Sequence, residues 1–136
     1  MATPTACFAP IILAYFCFIS IVQKHYKINC LIDLHLVLSE QRLLAAEQGN
    51  KKIAVEIKSF VSPSEMEDLK YAIGGFVTYR AVIQRIEPER TLYLAVRDNV
   101  FTALFEEPIG KLLIESENLY LIVFNPDSET IVQWIP

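Results

Sequence analysis

A chain of 136 residues, 53% of them hydrophobic and with a net charge of −4, is long enough for one domain with a sizeable core and too apolar to be a disordered segment. The negative balance weighs against a free-standing nucleic-acid binder, which is usually basic. The charge is also uneven: from Asp98 onward Lys111 stands alone against seven acids, so a phosphate-facing surface is expected in the first two thirds. Cys7, Cys17 and Cys30 form an odd set without a CxxC, which fits neither a disulfide framework nor zinc spacing and reads as reduced thiols of a cytoplasmic protein. His25 and His35 each lack a second ligand at helical spacing.

The chain opens on an oddity. "ACFAPIILAYFCFISIV", residues 6–22, holds 17 residues without a charge, at the lower limit for a spanning helix. No Lys or Arg precedes it, so the charged start of a signal peptide is missing. Lys24 and Lys27 follow, and would put the C-terminal side in the cytoplasm if the segment spans. Three readings stand side by side: a membrane tether, a buried element of the domain, and a lead foreign to it. The expected division is a divergent apolar segment over 1–27 and a domain over 28–136.

"INCLIDLHLVLSE", 28–40, reads as a strand, and "QRLLAAE", 41–47, as a second. "QGNKK" supplies a Gly-Asn turn, and 52–60 follows as a third strand that should pair with the second as an antiparallel hairpin. The period then changes from two to three and four. Ser62 as N-cap, Pro63 at the first helical position and Glu65 predict a helix over 62–86. Gly74 and Gly75 sit in its middle, each at a cost of about 1 kcal/mol relative to Ala, which implies close approach to another backbone. "TLYLAV", 91–96, is a buried strand; Asp98 caps a helix to Phe105; Pro108 starts another to Glu117. Strands 119–124 and 130–135 close the chain as a hairpin around "NPDSE". The whole is α/β: a mixed sheet with helices on its faces, containing a right-handed βαβ crossover from 52–60 through the helix to 91–96. Trp134, Tyr120 and Phe124 on the last strands read either as core or as anchors of a protein interface.

The chemistry concentrates in "IAVEIKSF", 53–60. Alternation puts Ile53, Val55 and Ile57 on one face and Ala54, Glu56, Lys58 and Phe60 on the other. Residues two apart on a strand are roughly 6–7 Å apart, so Glu56 and Lys58 can converge on one metal ion, water or phosphate, or simply pair on a solvated sheet face. Glu-x-Lys after a hairpin, with an acid on an earlier strand, is the layout of many metal-dependent nucleases: carboxylates hold Mg²⁺ and the lysine steadies charge on the phosphate. The earlier acid here is Asp33.

"LLAAEQGNKKIAVEIKSFVSPSEMEDLKYAIGGFVTYRAVI", "EPERTLYLAV" and "LIVFNPDSETIVQWI" together resemble the XisH family, the fdxN-element excision controlling factors, from about residue 31 to the C-terminus. The resemblance implies a restriction-endonuclease-like PD-(D/E)xK fold. It also implies a role in site-specific excision of a DNA element, exercised with a small protein partner of the XisI type, and no small-molecule cofactor. By the same resemblance Glu56 and Lys58 match the ExK and Tyr79-Arg80 matches a Tyr-Arg pair on the helix; with Asp33 taken from the strand layout as the earlier acid, Asp33 and Glu56 are the candidate metal ligands for Mg²⁺. Two departures stand out: Gly75 replaces a Gln common in relatives, and an ungapped alignment puts the family's acid at Val37, four residues beyond Asp33. The activity implied is therefore excision control, with a metal-dependent endonuclease as the alternative and a membrane-tethered small protein as the second alternative.

Overall fold

The structure, a computed structural model, describes residues 18–24, 26–33 and 42–136, with the side chains of 28–33 and 42 outside the description. Cys7, Cys17, His25, His35 and most of the apolar lead therefore lie outside the described residues. Among those described, no helix is long and apolar enough to cross a membrane.

Six strands form one sheet in the order of the chain: β1 (Lys27–Asp33), β2 (Arg42–Gln48), β3 (Lys51–Ile57), β4 (Arg90–Arg97), β5 (Leu121–Asn125) and β6 (Thr130–Ile135). The pairs β1–β2, β2–β3 and β5–β6 are antiparallel, whereas β3–β4 and β4–β5 are parallel, so the sheet is mixed. The chemistry of the connections explains this. Gly49 at φ 57° supplies the left-handed residue that a tight β2–β3 turn requires. The two parallel steps each need a crossover. The first is helix α1 (Glu65–Ile86); the second is the short α2 (Asp98–Val100), the π-helical turn Phe101–Phe105 and α3 (Pro108–Ser116).

Both faces of the sheet are covered, so the middle strands are apolar over most of their length, with Glu56 of β3 and Arg90 of β4 as buried exceptions. On one face Ala54, Leu92, Leu94, Val96, Leu121 and Val123 pack under Leu69, Ala72, Phe76, Tyr79 and Ile83 of α1, with Leu104 and Phe105 beside them. On the other, Leu44, Ala46, Ile53, Val55, Tyr93, Ala95, Ile122 and Phe124 pack under Phe18, Ile21, Val22 and Tyr26, which come from the helical residues 18–23 and the chain just after them. Phe18 meets Phe124 edge-on at 5.1 Å between ring centres. Phe124 is thus core, while Tyr120 and Trp134 are half-buried, the latter against Tyr26 and Tyr93 with the Lys51 ammonium 4.8 Å from its ring.

Three local expectations are corrected. Helix α1 starts at Glu65, three residues later than expected, because Ser64 and not Ser62 is the N-cap: its Oγ accepts from the Glu67 N–H at 3.3 Å. Ser62 is occupied one turn earlier, its N–H donating to Asp68 Oδ2 and its Oγ to the Ser64 carbonyl. Asp98 lies inside the first turn after Arg97, and its carboxylate accepts from the Asn99 N–H and the Asn125 amide. The close backbone approach expected at Gly74 and Gly75 occurs instead at Gly110, where an added Cβ would stand 2.1 Å from the Leu104 carbonyl oxygen. At Gly74 a Cβ would meet nothing within 4 Å.

Candidate functional site

Glu56 lies near the end of β3, on the face that α1 covers. That placement removes the solvated Glu–Lys pair from consideration: Glu56 is only 4% exposed. Among the described residues neither of its carboxylate oxygens receives a hydrogen bond. The Lys58 ammonium lies 3.2 Å from Oε1 as an ion-pair partner, in an approach that lacks hydrogen-bond direction. Burial pushes the Glu56 carboxyl above its ordinary range, and Lys58 pulls it part of the way back.

Lys58 follows the last residue of β3, and its N–H continues the parallel ladder by donating to the Ala95 carbonyl at 3.2 Å. Its side chain is 18% exposed. The ammonium has a second neighbour, the ring of Tyr71, 4.4 Å from centroid to Nζ. Tyr71 is followed at helical spacing by Gly75 and Tyr79, which aligns the three on one side of α1 above Glu56. Gly75 presents only backbone: a Cβ there would be 3.4 Å from Glu56 Oε1, 3.6 Å from Oε2 and 3.5 Å from the Tyr79 ring. Tyr79 is buried, and its phenol is pushed up to about 12, first by burial and then by the Glu56 charge.

Tyr71 separates two shallow grooves. One, of about 270 Å³, is lined by Lys58, Ser59, Phe60 and Asp68. The other, of about 380 Å³, is lined by Lys70, Gly74, Gly75, Thr78 and Tyr79. A larger hollow of about 540 Å³ lies elsewhere, beside Arg80 and Arg90. Both arginines there serve the fold: Arg80 donates to the Glu117 and Asn118 carbonyls after α3, and Arg90 to Glu87 and the Ile53 carbonyl.

The structure therefore brings Glu56, Lys58 and Tyr79 together and sends Arg80 away from them. Leu31 pairs with Leu44 and Leu44 with Val55, so Leu31 is in step with Val55, and Asp33, which pairs with Arg42, lies two residues further along β1 and one residue out of step with Glu56. Its side chain lies outside the described residues. Among the described residues no three His, Cys, Asp or Glu side chains gather as a metal site. Tyr71 was missed in the sequence, although the spacing 71, 75, 79 was available to find it.

The family model described as XisH protein matches residues 19–132. This chain belongs to the XisH family. Two solved structures agree. An XisH family protein from Nostoc punctiforme is 30% identical, with a TM-score of 0.80 over 91% of this chain and 99% of that one. An fdxN element excision controlling factor protein from Anabaena variabilis is 30% identical, with a TM-score of 0.82 over 92% and 99%. A comparison with curated proteins finds no match. The XisH match begins at residue 19, within the helical residues whose Phe18, Ile21 and Val22 close the second core. At Gly75 the XisH chain presents only backbone to Glu56: a side chain there would start 3.4 Å from the carboxylate.

Proposed function

We propose that this XisH chain is an fdxN-element excision controlling factor: a nuclease-derived PD-(D/E)xK protein that assists excision of a DNA element together with a small partner of the XisI type. In this reading Glu56 and Lys58 form the phosphate-facing site. The observation that carries it is the Glu56 carboxylate, buried beneath α1 with the Lys58 ammonium, 3.2 Å from Oε1, as its close charged partner among the described residues. An ionised carboxylate in such a place is expensive unless a cation accompanies it. Its oxygens suit a hard divalent ion such as Mg²⁺, which Glu56 would hold with Asp33. The ion would supply Lewis-acid polarisation of a phosphate; Lys58 would contribute a positive charge beside the same phosphate.

The register favours control over cutting. With Asp33 one residue out of step with Glu56 across β2, a second carboxylate reaches Glu56 only through a local shift of β1. Titration calorimetry with Mn²⁺ or Mg²⁺ tests the site, the expected result being binding in the parent chain and loss in Glu56→Ala. Incubation with plasmid and metal separates the two roles. Nicking that disappears in both Glu56→Ala and Lys58→Ala establishes the endonuclease. Metal binding without nicking, together with co-purification of an XisI-type partner, supports the controlling factor. A parent chain that gives no metal-dependent heat and retains no partner overturns the reading.

A further inference from the structure

Among the described residues Lys58 has two close neighbours of different kinds. Glu56 Oε1 is 3.2 Å from its ammonium, and the Tyr71 ring centre is 4.4 Å away. Tyr71 is 66% exposed, so the ring contributes little to the core and its place needs another explanation. It forms the wall between the groove at Lys58 and Asp68 and the groove floored by Gly74 and Gly75. The negative face of an aromatic ring attracts an ammonium, and it does so without consuming the carboxylate oxygens that a second cation needs.

We propose that Tyr71 is a positioning residue for Lys58: its ring gives the ammonium a resting place beside Glu56, so that Lys58 can cede the carboxylate to an incoming cation and remain at the mouth of the groove. This rests on the reading of Glu56 and Lys58 as the site. Without the ring, Glu56 is the near attraction that remains for the ammonium among the described residues, and Lys58 settles there, in competition with any metal.

The test uses the full chain with Tyr71→Leu and Tyr71→Phe. The first removes the ring; the second keeps its face and drops the hydroxyl. In proton–carbon NMR the Lys58 ε-methylene should lie upfield of the other lysines through the ring current, stay there in Tyr71→Phe, and return to the ordinary position in Tyr71→Leu. Mn²⁺ affinity, read by calorimetry, should fall roughly two- to fivefold in Tyr71→Leu, the equivalent of an exposed cation–π contact of about 0.5–1 kcal/mol, and recover in Tyr71→Phe. An ordinary Lys58 shift in the parent chain, or one unmoved by Tyr71→Leu, overturns the proposal. So does Mn²⁺ binding that is equal in all three chains. If the parent binds no Mn²⁺ at all, the metal reading of Glu56 fails, while a Lys58 shift lost only in Tyr71→Leu still establishes the positioning role.

Discussion

The carboxylate of Glu56 lies beneath Gly75 of α1 at a distance that an alanine methyl would fill in ordinary contact, 3.4 Å from Oε1. Gly75→Ala should therefore raise stability by up to about 1 kcal/mol, the intrinsic gain of Ala over Gly inside a helix. Gly75→Gln should do more than stabilise: its amide can donate to Glu56, favour the ionised form and lower the carboxyl's titration range. Chemical denaturation of both variants, with carbon NMR of the Glu56 carboxyl, checks this. A Gly75→Gln chain less stable than the parent would show that the space above Glu56 is already filled.

The pH dependence of stability follows from the direction of the Glu56 shift. Burial, partly offset by Lys58, raises the folded carboxyl above the 4.5 of a free glutamate. Below 4.5 both folded and unfolded chains carry the proton, and the site costs nothing. As pH rises from there through the folded value, the unfolded chain has released its proton and the folded chain still holds it, so stability falls. Glu56→Gln cannot titrate. The stability difference between Glu56→Gln and the parent should therefore grow in favour of the variant as pH increases above 4.5, then level off. Denaturant titrations at several pH values measure it, and a difference independent of pH would sink the assignment.

Gly110 provides the opposite case to Gly75. It sits in the first turn of α3, pressed on the π-helical turn, with Leu104 O 2.1 Å and Phe105 Cα 2.4 Å from where a Cβ would be. Both neighbours are backbone and cannot yield cheaply. Gly110→Ala should destabilise by about 1–3 kcal/mol or more, as overpacking does. Gly74→Ala, with open space around it, should be neutral or stabilising. A thermal melt of the pair decides whether glycine is needed for space at one position and tolerated at the other.

Much of the sheet was legible because its signals are local. The Gly-Asn turn, the period of two in 53–57 and the Pro at the start of α3 each act within a few residues. The burial of Glu56 was not legible, because alternation tells which face a side chain takes and not what covers that face. The same limit hid the glycines: Gly74, Gly75 and Gly110 look alike in sequence, and their difference lies in the element packed against each. The cap was misplaced for a third reason. Ser62-Pro63 and Ser64 through Glu67 both carry the serine and acid of an N-terminus, and the choice between them is made by Asp68 turning back to the Ser62 N–H.

That choice is testable. Ser64→Ala removes the side-chain acceptor for Glu67 N–H and should cost about 1 kcal/mol, as loss of an N-cap does. Ser62→Ala leaves the donation from its own N–H to Asp68 in place and should cost less. Equal losses in a urea series would mean that the turn before the helix and the cap itself act as one unit.

Arg90 joins the three strands at the end of the sheet opposite the site. It is buried at the start of β4, donates through Nη1 to the Ile53 carbonyl of β3 at 2.8 Å, through Nε to Glu87, and faces Glu47 of β2 at 3.6 Å through Nη2. A planar fork reaches three acceptors at once; an ammonium on a flexible stem cannot. Removing it leaves the Ile53 carbonyl short of a donor and the two part-exposed carboxylates with water as their remaining partner. Arg90→Ala should then cost about 1–3 kcal/mol, the range for a buried acceptor left without its donor, because both glutamates keep contact with solvent. Arg90→Lys restores the charge without the fork and should recover only part of the loss. Urea denaturation of the two variants measures both steps, and full recovery in Arg90→Lys would reduce the role of Arg90 to charge alone.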